Sequence, residues 1–386
     1  SVMGVRLKAI ADKAGVSRMA VSAVVNRTNS TRVSQEKRAH IARIAEEMGY
    51  MPNLTAQVLS GKSSRMVGIL NASVRQYSLA VLVAQFLHNA ARYKYQMLSD
   101  LYSQTRTVEE YREEVLNMLR RSPDGVIILG NPPPEVMEII KIPNVIIQFQ
   151  NDSTHRNGDL YYDHAAGGYM AGLHLLAHGH RKAVYVCSHI QNPPHDKFNG
   201  LQRAWGEAGL PDNHLQVIEA MHCEGTVEDR LLHLIHKEGY TCALMSNDFV
   251  AARALPFLRQ NGIRVPEDFA LIGYDGDAFA YLTDPPLSTI SQVSEEICDR
   301  ALKLLFERIR NKQIDCKEIR LGQSVKPAFF QGGSCGCACD LPPILGWTRD
   351  MLFLKERFSD RMIKYDDFIN RHKRQNQAIK ISTATC

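Results

Sequence analysis

No run of about 18 apolar residues occurs in the 386-residue chain, so a membrane-spanning helix is not expected. The opening stretch, Ser1 to Lys8, lacks the apolar core of a secretory signal, and cytoplasm is the expected location. Internal repeats and low-complexity tracts are also missing, which sets aside solenoid and linker architectures. The nine cysteines stand mostly alone inside apolar runs such as Val186-Cys187-Ser188, a pattern of reduced thiols and not of a disulfide framework. Acid is scarce at the front. Residues 1–62 hold ten Lys/Arg against four Asp/Glu, residues 63–344 hold 27 against 32, and residues 345–386 hold nine against five. A basic head on a mildly acidic body is the charge pattern of a nucleic-acid-binding unit joined to something that does not bind nucleic acid. The length exceeds what one hydrophobic core fills, so two or more folding units are expected.

The head reads as short helices without a strand. Ile10, Ala11 and Ala14 share a helical face before Gly15 breaks the pattern. Ser17 then stands as the N-cap of a second helix from about Arg18 to Asn26, and the pair makes a helix-turn-helix. Ser34 caps a third helix in which Ile41, Ile44, Ala45 and Met48 follow the helical spacing. Pro52 and Asn53 open a last short helix, Leu54 to Ser60, with too little apolar surface to fold alone.

From Met66 the texture changes. Apolar runs at Met66–Ala72, Gly125–Leu129, Val145–Phe149, Ala183–Cys187, Cys242–Met245 and Phe269–Tyr274 alternate with helical patterns, which predicts βαβ units and parallel sheets. Roughly 260 residues of this pattern suit two doubly wound subdomains better than one. Past Gly332, Trp347, Met351, Leu354, Phe358, Met362 and Ile369 fall near one stripe of a helix of about 25 residues, read as an appended amphipathic helix that packs on the body or on a partner. The expected divisions are residues 1–50 for the helix-turn-helix domain, 51–64 for a hinge helix and linker, 65–332 for the two-subdomain body, and 333–386 for the C-terminal extension.

Several stretches carry a resemblance. The run from Leu7 to Asn26, the pentapeptide Gly49-Tyr-Met-Pro-Asn53, Gly167-Gly168, His174 to Arg181, Asn247-Asp248 and Ile263 to Asp275 together resemble the lactose-repressor/galactose-repressor family over residues 5 to about 330. The resemblance implies a periplasmic-binding-protein-like body with three crossovers between its subdomains. It also implies a homodimer, a palindromic double-stranded DNA operator as partner and a small-molecule effector that sets affinity for it. A higher oligomer through the C-terminal helix is a further expectation.

In a helix-turn-helix the second helix enters the major groove and offers its first residues to base edges, here Arg18 and Met19. Ala23 stands one turn later, where relatives often carry a third base reader, and offers only an apolar contact to a thymine methyl. Ser17, Ser22 and Asn26 are placed to meet phosphates. In the hinge stretch the resemblance implies DNA contacts for Asn53, Ala56 and Leu59, the last as a minor-groove wedge.

Ligands in open α/β sheets bind beyond the carboxyl ends of strands. That points to Asn71, Tyr77, Phe149, Gln150, Asn247, Asp248 and Asp275, to which the resemblance adds Lys197 and Asp163. Carboxylates and amides suit a hydroxyl-rich ligand, a sugar or sugar derivative, while Lys at 197 and the missing Asp-Arg after the fourth strand keep a nucleobase open. Asn247-Asp248 reads equally well as a helix cap.

Other chemistry finds little footing. Gly332-Gly-Ser-Cys-Gly336 has the spacing of a nucleophile elbow but no helix after it, and Ser60-Gly-Lys-Ser-Ser64 lacks the first glycine of a phosphate loop. Cys335, Cys337 and Cys339 are the best metal candidates, yet no histidine or second cysteine pair lies near them in sequence, and His174, His178 and His180 read as structural. No metal, no cofactor and no enzymatic activity are expected. The competing reading is a ligand-binding protein of the periplasmic type, which residues 5–61 argue against.

Overall fold

The computed structural model describes residues 5–25, 33–51, 58, 61–72, 77–101, 107–149, 158–187, 196–219, 226–314, 322–339 and 361–383. Asn26, Asn53, Ala56, Leu59, Gln150, Trp347, Met351, Leu354 and Phe358 lie outside the described residues.

Among the described residues the head has three helices, α1 (Leu7–Ala14), α2 (Arg18–Val25) and α3 (Gln35–Glu47). Gly15 ends α1 at φ +65, a conformation glycine adopts without steric cost, and so turns the chain into α2. Ile10, Val21 and Ile41, one from each helix, are fully buried against one another with Ala11, Ile44 and Ala45 around them. At about 1.5–3 kcal/mol for each large aliphatic side chain, this small core is what lets three short helices fold together.

Among the described residues the body has two sheets. In the first, β1 (Met66–Ala72), β2 (Gln96–Leu101), β3 (Gly125–Leu129), β4 (Asn144–Gln148), β5 (Leu160–Tyr162) and β11 (Gln323–Val325) run in the order β11-β5-β4-β3-β1-β2, all neighbours parallel. Helices α4 (Tyr77–Ala90), α5 (Val108–Leu119) and α6 (Pro134–Met137) follow its strands. The second contains β6 (Ala183–Cys187), β7 (Leu215–Glu219), β8 (Cys242–Met245), β9 (Ala270–Asp275), β10 (Ser288–Ser291), β12 (Ala328–Phe330) and β13 (Met362–Lys364), in the order β13-β12-β10-β9-β8-β6-β7. Its last two pairings, β10 with β12 and β12 with β13, are antiparallel. Helices α7 (His164–Ala177), α8 (Asp196–Glu207), α9 (Val227–Glu238), α10 (Asp248–Gln260), α11 (Ser294–Asn311) and α12 (Tyr365–Thr383) complete the body.

The chain passes between the lobes three times: from β5 to α7, from β10 to α11, and from β11 to β12. Helix α11 returns to the first lobe, burying Ile297, Leu302 and Leu305 in its core. Arg308 on α11 is buried and grips buried Asp159 ahead of β5 through two bonds, Nη2 to Oδ1 at 2.7 Å and Nη1 to Oδ2 at 3.1 Å. Asp163, in the first crossover, caps α7 by accepting from the Ala166 amide at 2.9 Å and pairs with Lys326 of the third crossover at 2.5 Å.

The C-terminal segment differs from its sequence reading at one point. Met362 lies in strand β13 and not on the helical stripe, because the outer edge of β12 is open to an antiparallel partner. The helix itself begins at Tyr365 and seats Phe368 and Ile369 in the second lobe's core beside Phe329. Among the described residues no helix is long and apolar enough to cross a membrane.

Candidate functional site

Two regions concentrate the residues singled out by sequence. On the head, the Ser17 hydroxyl accepts from the Ala20 amide at 3.2 Å, which starts α2. Arg18 and Met19 then stand in its first turn, both exposed, with Met19 at 78%. Ser22 and Ala23 lie one turn on and are half-buried. The first turn of α2 carries no acid, so its positive dipole end and Arg18 add in sign, an arrangement that favours an anion such as a phosphate. A large exposed apolar side chain beside an exposed guanidinium suits a surface that meets base edges.

The second region lies at the strand ends of the body. Asp275 closes β9 with φ +101, an uncommon backbone for a residue with a side chain, and its side chain is 12% exposed. Lys197, on the first turn of α8, brings its ammonium to 3.7 Å from Asp275 Oδ1, donates to the Ser246 carbonyl at 2.7 Å, and lies 3.8 Å from the centre of the Tyr274 ring. Gln292, just past β10, donates its amide to the same Asp275 oxygen. A carboxylate and an aromatic face from β9, a cation from α8 and an amide from the chain after β10 thus converge in one lobe.

Close helix packing holds this geometry. A Cβ on Gly167 would fall 2.1 Å from the Tyr274 hydroxyl and one on Gly168 would fall 1.8 Å from the Lys197 carbonyl oxygen. Only glycine lets α7 lie this near to α8 and β9.

His164, at the start of α7, bridges the lobes. Its Nε2 donates to the Phe149 carbonyl at 2.5 Å, which leaves Nδ1 to accept from the Tyr274 hydroxyl at 3.2 Å. Burial, and then the nearby charge of Lys197, push this imidazole down to about 3, so it is neutral at ordinary pH. Phe149 stacks on Tyr162, and Tyr77 meets Phe279 edge-on at 5.6 Å across the lobes. The Tyr77 phenol is raised by burial and by the charge of Asp277.

Placement of the other expected residues varies. Asn247 caps α10 by accepting from the Val250 amide at 2.9 Å. Asp248 is fully buried and accepts from the Asp277 amide at 2.7 Å, which pins the turn after β9. Burial pushes its carboxyl up to about 8, with the Asp275 charge adding to the effect, so it is protonated near neutrality. Asp163 is engaged by α7 and Lys326 at the crossover. Asn71 belongs to β1.

Sequence reading missed His164, Ser246, Tyr274 and Gln292. Gln292 follows the polar strand Ser288–Ser291, which gives no apolar signal, and His164 follows a three-residue strand too short to register. Ser334 of the hydrolase-like pentapeptide is fully buried, donating to the Leu271 carbonyl at 2.7 Å and accepting from the Ser288 amide at 2.9 Å. That hydroxyl braces two strands.

Comparison with known proteins matches residues 6–53 to the model of bacterial regulatory proteins of the lacI family and residues 173–327 to a periplasmic binding protein-like domain. The HTH-type transcriptional repressor PurR of Aliivibrio salmonicida is 29% identical over 316 residues, 79% of this chain and 92% of that protein. Its namesake in Pasteurella multocida is 27% identical over the same shares. Among solved structures, the lac repressor dimer bound to operator and the anti-inducer ONPF superimposes with a TM-score of 0.71 at 21% identity, covering 86% of this chain and 99% of that one. The complex of the transcriptional regulator CelR with cellobiose gives 0.56 at 21% identity over the same shares.

Proposed function

The chain belongs to the lacI family of bacterial regulatory proteins, and from that premise we propose that it is a cytoplasmic transcriptional repressor that binds a palindromic operator as a homodimer. It performs no catalysis in this reading. The observation that carries it is the exposed, acid-free start of α2, with Arg18 and Met19 outward on a helix-turn-helix that closes its own core. Arg18 pairs with a guanine edge, Met19 and Ala23 meet apolar base surface, and Ser17, Ser22 and Asn26 meet phosphates. Asn53, Ala56 and Leu59 extend the contact to the minor groove.

The effector is a sugar or sugar derivative. It lies between the strand ends, where Asp275 accepts from adjacent hydroxyls, Lys197 and Gln292 donate, and Tyr77 and Phe149 cover its apolar face. Asn247, Asp248 and Asp163 brace the turns around this cleft, and Asn71 and Gln150 are further effector contacts in this reading. Binding selects one closure of the two lobes and so shifts the free energy of operator binding.

The test uses a duplex selected from a random pool by the full chain. Arg18→Ala should weaken the selected duplex and spare a scrambled one, and Asp275→Asn should abolish effector response with operator binding intact. Equal losses on both duplexes would remove Arg18 from the reading. A calorimetric screen of monosaccharides, sugar phosphates and purines identifies the ligand class, and a purine as sole binder would replace the sugar assignment.

A further inference from the structure

We propose that His174, His178, Cys335 and Cys337 form a tetrahedral site for zinc or a similar divalent cation, which clips the chain leaving β12 to helix α7. One ligand atom from each residue lies within 4.8 Å of all the others. His174 lies in the last turn of α7 and His178, four residues on, is its C-cap, so both imidazoles stand at the same end of the helix. Cys335 and Cys337 flank Gly336, whose φ of +93 turns the chain so that both sulfurs meet the helix.

The spacing is that of a coordination shell. His174 Nε2 lies 3.2 Å from Cys335 Sγ and 3.5 Å from Cys337 Sγ, and His178 Nε2 lies 3.3 Å from Cys337 Sγ. Bonds of about 2.3 Å to sulfur and about 2.0 Å to nitrogen around one tetrahedral ion place neighbouring N and S about 3.5 Å apart. Thiol hydrogen bonds account for the cluster less well, since Nε2 of His174 has a single lone pair and two sulfurs within reach of it.

The surroundings prepare His174 for this role. The Phe368 carbonyl can only accept, so His372 Nδ1, at 3.0 Å, donates to it. His372 Nε2 is then an acceptor, and the Nδ1–H of His174 donates to it, also at 3.0 Å. That relay leaves the His174 Nε2 lone pair facing the sulfurs, the supporting arrangement usual behind a metal-bound histidine. His174, His372 and Cys335 are all buried, at 3%, 4% and 1% exposure. Two thiolates and one divalent cation sum to no net charge, which such a setting tolerates. On binding, each thiol releases its proton to solvent. Two imidazoles and two thiolates select a borderline-soft ion over magnesium or calcium.

One consequence concerns the C-terminal helix. His372 lies on α12, so the ion fastens three segments distant in sequence, α7, the chain after β12 and α12.

The experiment uses the full chain, reduced and stripped of metal. Titration with cobalt(II) should give one equivalent bound, with a thiolate-to-cobalt charge-transfer band and the intense visible bands of a tetrahedral ion, both abolished by one equivalent of zinc. Cys337→Ser and the surface change His178→Gln should each weaken binding at least about a hundredfold, and His372→Phe by about 10- to 100-fold with the tetrahedral spectrum kept. Cys339→Ser should leave binding unchanged, its sulfur facing Arg361 at 3.9 Å. No binding, an octahedral spectrum, a response to copper(I) alone, or binding that survives both Cys337→Ser and His178→Gln would overturn the site.

Discussion

Gly168 is the point at which packing and ligand chemistry meet most tightly. A Cβ there would lie 1.8 Å from the Lys197 carbonyl oxygen and 2.7 Å from its carbonyl carbon. Real Cβ contacts essentially never fall under 3.0 Å, so Gly168→Ala forces the start of α8 away from α7 by at least about 1.2 Å. The obstacle is backbone, which no rotamer change relieves. Lys197 rides on that turn, and its 2.7 Å bond to the Ser246 carbonyl stretches beyond hydrogen-bonding range. Overpacking of this kind costs about 1–3 kcal/mol. At about 2–4 °C per kcal/mol for a body of this size, the upper figure lowers the melting midpoint by about 6–12 °C. Differential scanning calorimetry reads that change, and isothermal titration should show effector affinity down at least about tenfold while operator binding without effector persists. Gly206→Ala, on the same helix with nothing within 4 Å of the added carbon, is the control and should be neutral or stabilising by up to about 1 kcal/mol. A Gly168→Ala protein that melts and binds effector like its parent would refute both the close crossing and the role given to Lys197.

Other outcomes follow from the same geometry. Arg308→Met strands the buried Asp159 carboxylate and should cost about 3–5 kcal/mol by urea denaturation, with part recovered when Asp159→Asn is added. Asp248 holds its proton up to about pH 8 when folded and releases it near 3.8 when unfolded, so the native state binds more protons between these values and this group makes stability fall as pH rises through them. Asp248→Asn should flatten that slope in the difference between the two denaturation profiles, and an unchanged slope would show that the carboxyl is not protonated. Arg18→Ala should cost about 1–3 kcal/mol on the selected duplex, measured by fluorescence anisotropy at fixed salt.

Much of the fold could be read from residue spacing. The head's core, Ile10, Val21 and Ile41, sits on faces that the helical spacing and the two serine caps mark out, and long β-branched runs such as Gly125–Leu129 became strands buried along their whole length. Short polar strands could not be read. Gln323–Val325 has no apolar signature and joins the first sheet only because β5 offers it an open edge. Met362 shows the same competition, since helical spacing includes it and the edge of β12 takes it as a strand. In the cleft, Asp275 and Lys197 were legible as residues, whereas their contact with Gln292 and Tyr274 depends on β9, α8 and the chain after β10 meeting. The histidine and cysteine quartet illustrates the limit most clearly. Cys-x-Cys-x-Cys lacks a histidine nearby in sequence, and His174 is 161 residues from Cys335 along the chain yet 3.2 Å away in space.

The central claim is that the cleft and the head share one free energy. The direct measurement is a linkage pair on the full chain: operator affinity with and without saturating effector, and effector affinity with and without saturating operator. The two ratios should agree, at about 5- to 150-fold. An operator affinity that does not move at saturating effector would contradict it.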